Sequence, residues 1–98
     1  MKNKTDTEEA RKIARLSKIL SVETRVRIIA LLRDRRLCVN AIACQLGISS
    51  GAVSQHLRIM RDADLVLAER CGYYVHYKLN RKTIESWHEH LRELLSEQ

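Results

Sequence analysis

The sequence predicts a mainly α-helical domain with one β-hairpin inserted before its last helix. Two observations predict this class: apolar residues recur at helical spacing through most of the chain, and the spacing changes to alternation between residues 66 and 79. The chain has 98 residues, of which 45% are hydrophobic. That is enough for one small domain over residues 1–98, but not for a cleft between two domains.

The first two helices are expected at about residues 6–19 (α1) and 22–33 (α2). Thr5 or Thr7 is a candidate N-cap for α1, and Ser21 is the candidate for α2, because hydroxyl side chains accept hydrogen bonds from first-turn amides. Apolar stripes at helical spacing follow these caps: Ile13, Leu16 and Leu20 in α1, and Val22, Val26, Ile29 and Leu32 in α2.

A short third helix, α3, is expected at about residues 40–46, with Asn40 as its cap and Gly47 as the residue that ends it. A tight connection, "GIS", leads to a fourth helix, α4, at about residues 50–63. A helix, a short glycine-containing turn and a second helix form the signature of a helix-turn-helix, whose second helix enters the major groove of DNA.

Helix α4, capped by Ser49 or Ser50, separates its side chains into two populations. The polar side combines a glycine, short hydrogen-bonding residues and charge: Gly51, Ser54, Gln55, Arg58, Arg61 and Asp62. The opposite side is apolar: Ala52, Val53, Leu57, Ile59, Met60 and Ala63. A solvated helix face is usually rich in Glu and Lys, so this polar side indicates a surface that binds a partner.

The alternating segment at about residues 66–79 predicts two strands joined through Cys71 and Gly72, a hairpin that forms the wing of a winged helix-turn-helix. A last helix, α5, is expected at about residues 81–96 with Asn80 as its cap. Its apolar stripe consists of Ile84, Trp87, Leu91, Leu94 and Leu95. The element order is therefore α1-α2-α3-α4-β-β-α5.

Helices α1 and α5 offer more apolar surface than such a small core can cover. The simplest partner for this surface is a second copy of the chain, which predicts a homodimer joined through α1 and α5. The residues expected in the interface are Ile13, Leu16, Ile84, Trp87, Leu91 and Leu94.

The net charge of +6 indicates a polyanionic partner, and every basic residue except Arg92 precedes residue 83. No segment has the roughly 18 apolar residues of a membrane span, and the N-terminus has no signal-peptide core, so a cytoplasmic protein without a membrane partner is expected. No enzyme is expected, because the sequence has no glycine-rich phosphate loop, no carboxylates placed for acid-base work and no clear Cys–His pair.

Three segments, "ETRVRIIALL", "LCVNAIACQLGISSGAVSQHLRIMRDADLV" and "RCGYYVHYKL", resemble the ArsR/SmtB family of small winged-helix repressors. The resemblance extends over about residues 16–95. It implies a homodimeric, sequence-specific repressor that binds a palindromic operator in double-stranded DNA and leaves it when an effector binds.

Carried over position by position, the resemblance places DNA contacts on α4 at Ser50, Gly51, Ser54 and Gln55, with Arg58 as a phosphate contact. The chemistry of these side chains agrees, because Gln can bond an adenine edge bidentately and Arg suits guanine or phosphate.

Three further residues are expected near this surface. On the wing, Tyr73 at the tip and Lys78 are the candidates for minor-groove or phosphate contact. His56 lies on the apolar side of α4, which favours a partly buried histidine bonded to backbone over a base contact.

The effector candidates are the thiols Cys38, Cys44 and Cys71, which an odd cysteine count and a cytosolic location predict to be free. Relatives that sense arsenic or cadmium have three thiols near the start of α3. Here Cys38 matches the first, but Asn40 and Ala43 replace the others. The metal or metalloid motif is thus incomplete.

The zinc-type site that relatives carry on α5 is also absent, since its four positions are occupied by Arg81, Thr83, Leu94 and Glu97. No metal ligand set or cofactor is therefore assigned, although a metal or metalloid ion stays among the candidate effectors. Two alternatives stay open. One is a thiol-redox or sulfur-species sensor on the same scaffold, and the other is a winged helix that binds protein without specific DNA binding.

Overall fold

The computed structural model describes residues 7–97 of the chain. The elements are α1 (Thr7–Ile19), α2 (Glu23–Leu31), β1 (Leu37–Cys38), α3 (Val39–Leu46), α4 (Ser50–Asp62), β2 (Val66–Cys71), β3 (Tyr74–Leu79) and α5 (Arg81–Leu95). The predicted fold class, mainly α with a hairpin between α4 and α5, is confirmed. No helix within residues 7–97 is both long and apolar enough to cross a lipid bilayer.

The hydrophobic core lies where α2, α3 and α4 meet the base of the sheet. Its most fully buried side chains are Ile28, Leu32, Ile42, Val53, Leu57, Met60, Leu65 and Val66. Because three of these residues, Val53, Leu57 and Met60, lie along one side of α4, the core holds that helix at a fixed rotation about its axis.

The sheet has three strands in the order β1-β3-β2, and the first of them was not predicted. Strand β1 pairs antiparallel with β3 through Leu37↔Tyr77 and Cys38↔His76. A two-residue strand is too short to show alternation in the sequence. Its existence depends on pairing with a strand that lies about forty residues away, which local patterns do not encode.

The pairing of β1 moves the start of α3. The helix begins at Val39, with Cys38 in the N-cap position and no side-chain capping bond, so the expected cap Asn40 lies in the first turn instead. The backbone of Cys38 is held extended by the sheet, which leaves the next residue to start the helix. The end of α3 was predicted correctly, because Gly47 adopts the left-handed conformation (φ 71°) and its N–H bonds to Ala43 O.

The predicted caps of the other helices have mixed outcomes. Ser21 does not cap α2, since Val22 is in that position and the Ser21 hydroxyl donates to Lys18 O at the end of α1. Ser49 does cap α4, where its Oγ accepts from Ala52 N at 3.1 Å. Asn80 is in the N-cap position of α5 but makes no side-chain capping bond.

The predicted cap of α1, Thr5 or Thr7, stays a prediction. Thr7 is the first residue of the helix as described, whereas Thr5 lies outside the described residues. The far end of α2 also differs, because the helix ends at Leu31 rather than at residue 33.

The hairpin turn comprises Gly72 and Tyr73, one residue later than the predicted Cys71–Gly72 connection. Cys71 is the last residue of β2 and pairs with Tyr74. Gly72 has a φ of 66°, a conformation that glycine adopts without steric cost and that two-residue hairpin turns require.

The end of α4 is joined to the start of α5 through Leu65. Its N–H donates to Met60 O at 2.9 Å, and its carbonyl accepts from Asn80 N–H, also at 2.9 Å. Between α4 and Leu65 the chain turns at Asp64, whose φ of 63° makes it the one non-glycine residue of the described chain in the left-handed region.

A polar contact fixes α4 against α2 beside the core. Arg25 Nε donates to His56 Nδ1 at 3.2 Å, and Arg25 Nη1 donates to Ile19 O at 3.2 Å. His56 is partly buried, as predicted, but its partner is a guanidinium rather than the backbone. Burial, and secondly the charge of Arg25, lower the pKa of His56 below its ordinary value of 6.5.

This contact predicts a pH-dependent stability. As pH falls through 6.5 the unfolded chain binds a proton at His56 while the folded chain resists it, so stability is lost between 6.5 and the lowered pKa. We expect the wild type to lose more unfolding free energy than His56→Asn when urea unfolding is compared at about pH 8 and pH 5.

Asn is the matched replacement because its Oδ1 can still accept from Arg25 but does not titrate. The other three histidines are present in both proteins and cancel in the comparison. An equal loss in the two proteins would show that His56 does not contribute to the acid sensitivity.

Candidate nucleic-acid interface

The polar side of α4 is exposed along its whole length. Ser50, Gly51, Ser54, Gln55 and Arg58 are all in contact with solvent, on the side opposite the buried Val53, Leu57 and Met60. Within residues 7–97, none of the exposed side chains of this group has a hydrogen-bond or ion-pair partner. Ile59 departs from the predicted apolar side, since it is 40% exposed.

Gly51 sits in the first turn of α4 without any internal packing reason. A Cβ built on it would meet only Ser49 Oγ, at 4.0 Å, so the fold itself has room for a side chain there. The absence of a side chain therefore opens space on the outside of the helix. A bulky surface could approach the backbone of this first turn more closely at glycine than at any other residue.

The tip of the wing is open to solvent. Tyr73 is 98% exposed at the tip, as expected for a candidate contact. Lys78 lies near the root, four residue pairs away from the Cys71–Tyr74 pair, which corresponds to roughly 14 Å along the strand. Its Nζ is 3.3 Å from Glu69 Oε2, so a contact with phosphate would have to compete with this ion pair.

Arg70 is a further contact candidate on the wing that was not predicted from the sequence. Along β2, Val66, Ala68 and Arg70 point to one face by alternation, and Val66 is buried in the core against α4. Arg70 is exposed on this same face close to the tip. The alternation of the strand was the available signal, because it places this cation on the same face of β2 as the buried Val66.

On the other face of the sheet, Glu69 neutralises two cations. Arg36 and Lys78 both form ion pairs with its carboxylate. Hydrogen bonding from Arg36, and then from Lys78, lowers the pKa of Glu69 below its ordinary value. These two basic side chains are consequently less available to a polyanion than the unpaired Arg58.

The three cysteines are free thiols in three different settings. Cys38 is half-buried on β1 opposite His76, Cys44 is exposed on α3, and Cys71 is half-buried with its Sγ 3.9 Å from Glu69 O. From the strand spacings, Cys38 and Cys71 are roughly 12 Å apart, beyond the reach of a disulfide within one protomer.

The metal sites that the resemblance implies do not fit this chain. Among residues 7–97 there is no group of three or more His, Cys, Asp or Glu side chains that could hold a metal ion. A soft ion such as arsenite or cadmium requires several converging thiolates. The three thiols do not converge within a single chain, so one chain offers such an ion no site.

Helices α1 and α5 pack against each other within the protomer. Ile13 and Leu16 are only 8% and 9% exposed, so these two predicted interface residues offer a partner little further area. Trp87 Nε1 donates to Ile13 O at 3.5 Å across the same contact. The apolar surface left uncovered is at the end of α5, where Leu94 is 46% and Leu95 is 69% exposed.

A family model described as "Bacterial regulatory protein, arsR family" matches residues 23–67. This range extends from the first residue of α2 to the second residue of β2 and contains the whole polar side of α4.

Three curated relatives are similar to the chain. The HTH-type transcriptional regulator KmtR of Mycobacterium tuberculosis is 35% identical over 83 residues, which are 85% of this chain and 58% of that protein. The arsenical resistance operon repressor of Escherichia coli is 39% identical over 66 residues, which are 66% of this chain and 56% of that protein. The transcriptional repressor SdpR of Bacillus subtilis is 31% identical over 68 residues, which are 69% of this chain and 76% of that protein. The chain thus spans little more than half of the first two.

Solved structures share the fold. HlyU from Vibrio cholerae superposes with a TM-score of 0.77 at 29% identity, covering 92% of this chain and 98% of that one. A homodimeric winged helix-turn-helix DNA-binding domain from Mycobacterium bovis has a TM-score of 0.74 at 23% identity, covering 99% and 97%, a likeness of fold alone. With this fold, the matched helix-turn-helix and these relatives, the chain belongs to the ArsR family of bacterial transcriptional regulators.

Proposed function

We propose that the chain is a homodimeric repressor that reads an operator in double-stranded DNA with the polar side of α4. The observation that carries the proposal is that Ser54, Gln55 and Arg58 are exposed and unpaired within the described chain, on a helix whose opposite side buries Val53, Leu57 and Met60 in the core. A rigid helix with unsatisfied donors and acceptors on its outer side is what direct readout in a major groove requires.

The side chains divide into two roles by their chemistry. Gln55 reads a base, because its amide can donate to and accept from an adenine edge at once, and Ser54 can serve either base or phosphate. Arg58, one turn further along α4, contacts phosphate and so contributes affinity without sequence information. Ser50 and Gly51 allow the first turn of the helix to approach the groove.

The wing adds contacts to the flanking duplex. Tyr73 at the tip reaches the minor groove, and Arg70, on the same face of β2 as the buried Val66, contacts phosphate. Lys78 contributes only if it leaves Glu69, since its ion pair with that carboxylate lies at the root of the wing.

We expect Gln55→Ala to lower specificity rather than general affinity. On duplexes selected by the wild type from a random library, the loss should be about 1–3 kcal/mol, with little loss on unselected DNA of the same length. Fluorescence anisotropy at fixed salt measures both. An equal loss on the two DNAs would remove Gln55 from base readout.

We expect Arg58→Ala to weaken binding to selected and unselected DNA by the same factor and to reduce the slope of log affinity against log salt by about one. Arg92→Ala is the matched control, because Arg92 is exposed on α5 and paired with Glu89. The phosphate role fails if the two variants have the same salt slope. A wild type without any salt-dependent affinity for duplex DNA would instead favour the protein-binding alternative.

The dimer is proposed to form through the uncovered apolar side of α5 together with α1. Ile84, Trp87 and Leu91 are partly buried and Leu94 is nearly half exposed, so a partner could bury their remaining area. A two-fold axis would place two α4 helices in successive major grooves about 34 Å apart.

We expect Leu94→Glu to dissociate the dimer, because two-fold symmetry introduces the buried charge twice while the protomer core does not include this side chain. Sedimentation at micromolar concentration measures the change, and circular dichroism checks that the variant is folded. Gln45→Glu, which adds the same charge to an exposed position on α3, should stay dimeric. If Leu94→Glu and Leu91→Glu both stay dimeric, the interface lies elsewhere.

Release from the operator is proposed to follow from chemistry at a thiol. Cys38 is the first candidate, because it joins the wing sheet to α3 and any change at its sulfur affects both elements. Cys44 and Cys71 are the other candidates, and a metal or metalloid would need thiols from two subunits. An effector of any kind acts only through its differential affinity for two dimer conformations.

The thiol proposal predicts that a cysteine-reactive agent releases DNA from the wild type but not from a variant with Cys38, Cys44 and Cys71 all changed to Ser. The agents to titrate against the DNA complex are arsenite, cadmium, zinc, peroxide and polysulfide, and the single Ser variants identify the sulfur responsible. Release of both proteins alike, or of neither by any agent, would rule out a cysteine sensor.

A further inference from the structure

A cavity of about 330 Å³ lies between α1, α5 and the turn that follows α4. Its volume is at the lower end of the roughly 300–1,000 Å³ that small-ligand sites occupy. The cavity is on a different part of the protomer from the polar side of α4, and it contains none of the three cysteines. Neither the DNA surface nor the thiols account for it.

The lining combines cations with an apolar floor. Lys12 and Arg15 come from α1 and Lys82 comes from the first turn of α5, while Leu16 and Trp87 supply apolar and aromatic surface. In the described part of the chain, none of these three cations has an ion-pair or hydrogen-bond partner. Within residues 7–97 these three cations are therefore not engaged in an ion pair.

Two hydroxyl groups and one acid complete the polar lining. Thr83 and Ser86 lie in the first two turns of α5, where the helix dipole also favours negative charge. Asp64 is the one carboxylate of the lining, so cations outnumber acids there without counting His90. His90 lies 3.4 Å from Glu9, an ion pair when the imidazole is protonated.

We infer that this cavity binds a small organic anion, a carboxylate or phosphate group joined to a ring or short apolar body. The acidic group would bind between Lys12, Arg15 and Lys82, and the apolar body would pack mainly on Trp87. A metal cation is the wrong ligand for this charge, and a purely apolar molecule would leave the cations without a partner.

The cavity touches the end of the DNA-reading helix. Ala63 and Asp64, which directly follow α4, form part of its wall. A bound anion would therefore contact α1, α5 and the two residues that follow α4 at once, and could change how α4 is held relative to the dimer helices. This regulatory part of the inference rests on the proposed repressor function, whereas the binding site itself does not.

Trp87 provides a direct measurement of binding, because it is the only tryptophan of the chain and lines the cavity. The wild-type protein is titrated with benzoate and with phenyl phosphate, beside neutral benzamide and inorganic phosphate. We expect saturable changes of Trp87 fluorescence with the two organic anions, at concentrations about tenfold or more below those of either control. Equal binding of benzoate and benzamide, or no saturable change with either anion, overturns the proposal.

Variants test whether the cations of the cavity carry the affinity. Arg15→Gln and Lys82→Gln should each weaken binding of phenyl phosphate about tenfold, while Lys18→Gln, an exposed change on α1 outside the cavity, should leave it unchanged. Titrating Leu94→Glu, the variant expected to be monomeric, tests whether a second subunit occupies the cavity. If the anion binds this variant but not the wild-type dimer, a second subunit fills the cavity and the ligand site is wrong.

The selected DNA separates the two proposals. Specific DNA binding without binding of an organic anion supports the repressor proposal and overturns the cavity inference. Binding of the anion without specific DNA binding supports the cavity inference and overturns the repressor proposal. If phenyl phosphate binds in the cavity and changes DNA affinity at least severalfold in wild type but not in Arg15→Gln, the anion is an effector. If it binds without any change in DNA affinity, the site stands and its regulatory role is overturned.

Discussion

The burial of one side of α4 is the constraint on which the rest of the molecule depends. Val53, Leu57 and Met60 have almost no solvent exposure, and burying each is worth about 1.5–3 kcal/mol. A rotation of the helix by even one residue would expose them, so the opposite side has a single orientation available. The Arg25–His56 hydrogen bond adds a second point of attachment on α2. The exposed polar residues need no partner of their own to be held in position.

Periodicity made the long elements predictable, and pairing between distant segments made the remainder unpredictable. The stripes of α4 and α5 and the alternation of the hairpin are repeated over many residues, so each gave a reliable pattern. Strand β1 has only two residues and exists because Tyr77 and His76 are beside it. The same pairing displaced the start of α3 by one residue from Asn40, a candidate cap whose local preference was weaker than the extended backbone imposed by the sheet.

The functional surfaces likewise have features that local sequence patterns predict and features that only the folded chain shows. The exposure of Ser54, Gln55 and Arg58 follows from the helical wheel alone. The ion pair that engages Lys78 depends on Glu69, which is a neighbour only after the hairpin has formed. The cavity beside Trp87 could not be anticipated either, because three segments that are distant in sequence contribute its walls, and a wheel describes one helix at a time.

The backbone of Leu65 has a mechanical consequence. Its N–H donates a hydrogen bond to Met60 O in the last turn of α4. Its carbonyl accepts a hydrogen bond from the N–H of Asn80, the residue that precedes α5. Two helices that share such a joint, with Leu65 itself buried in the core, have few independent degrees of freedom. In a dimer held through α5, each α4 helix would then move with the subunit that carries it. The distance between the two α4 helices would then depend on a single angle, the angle between the subunits.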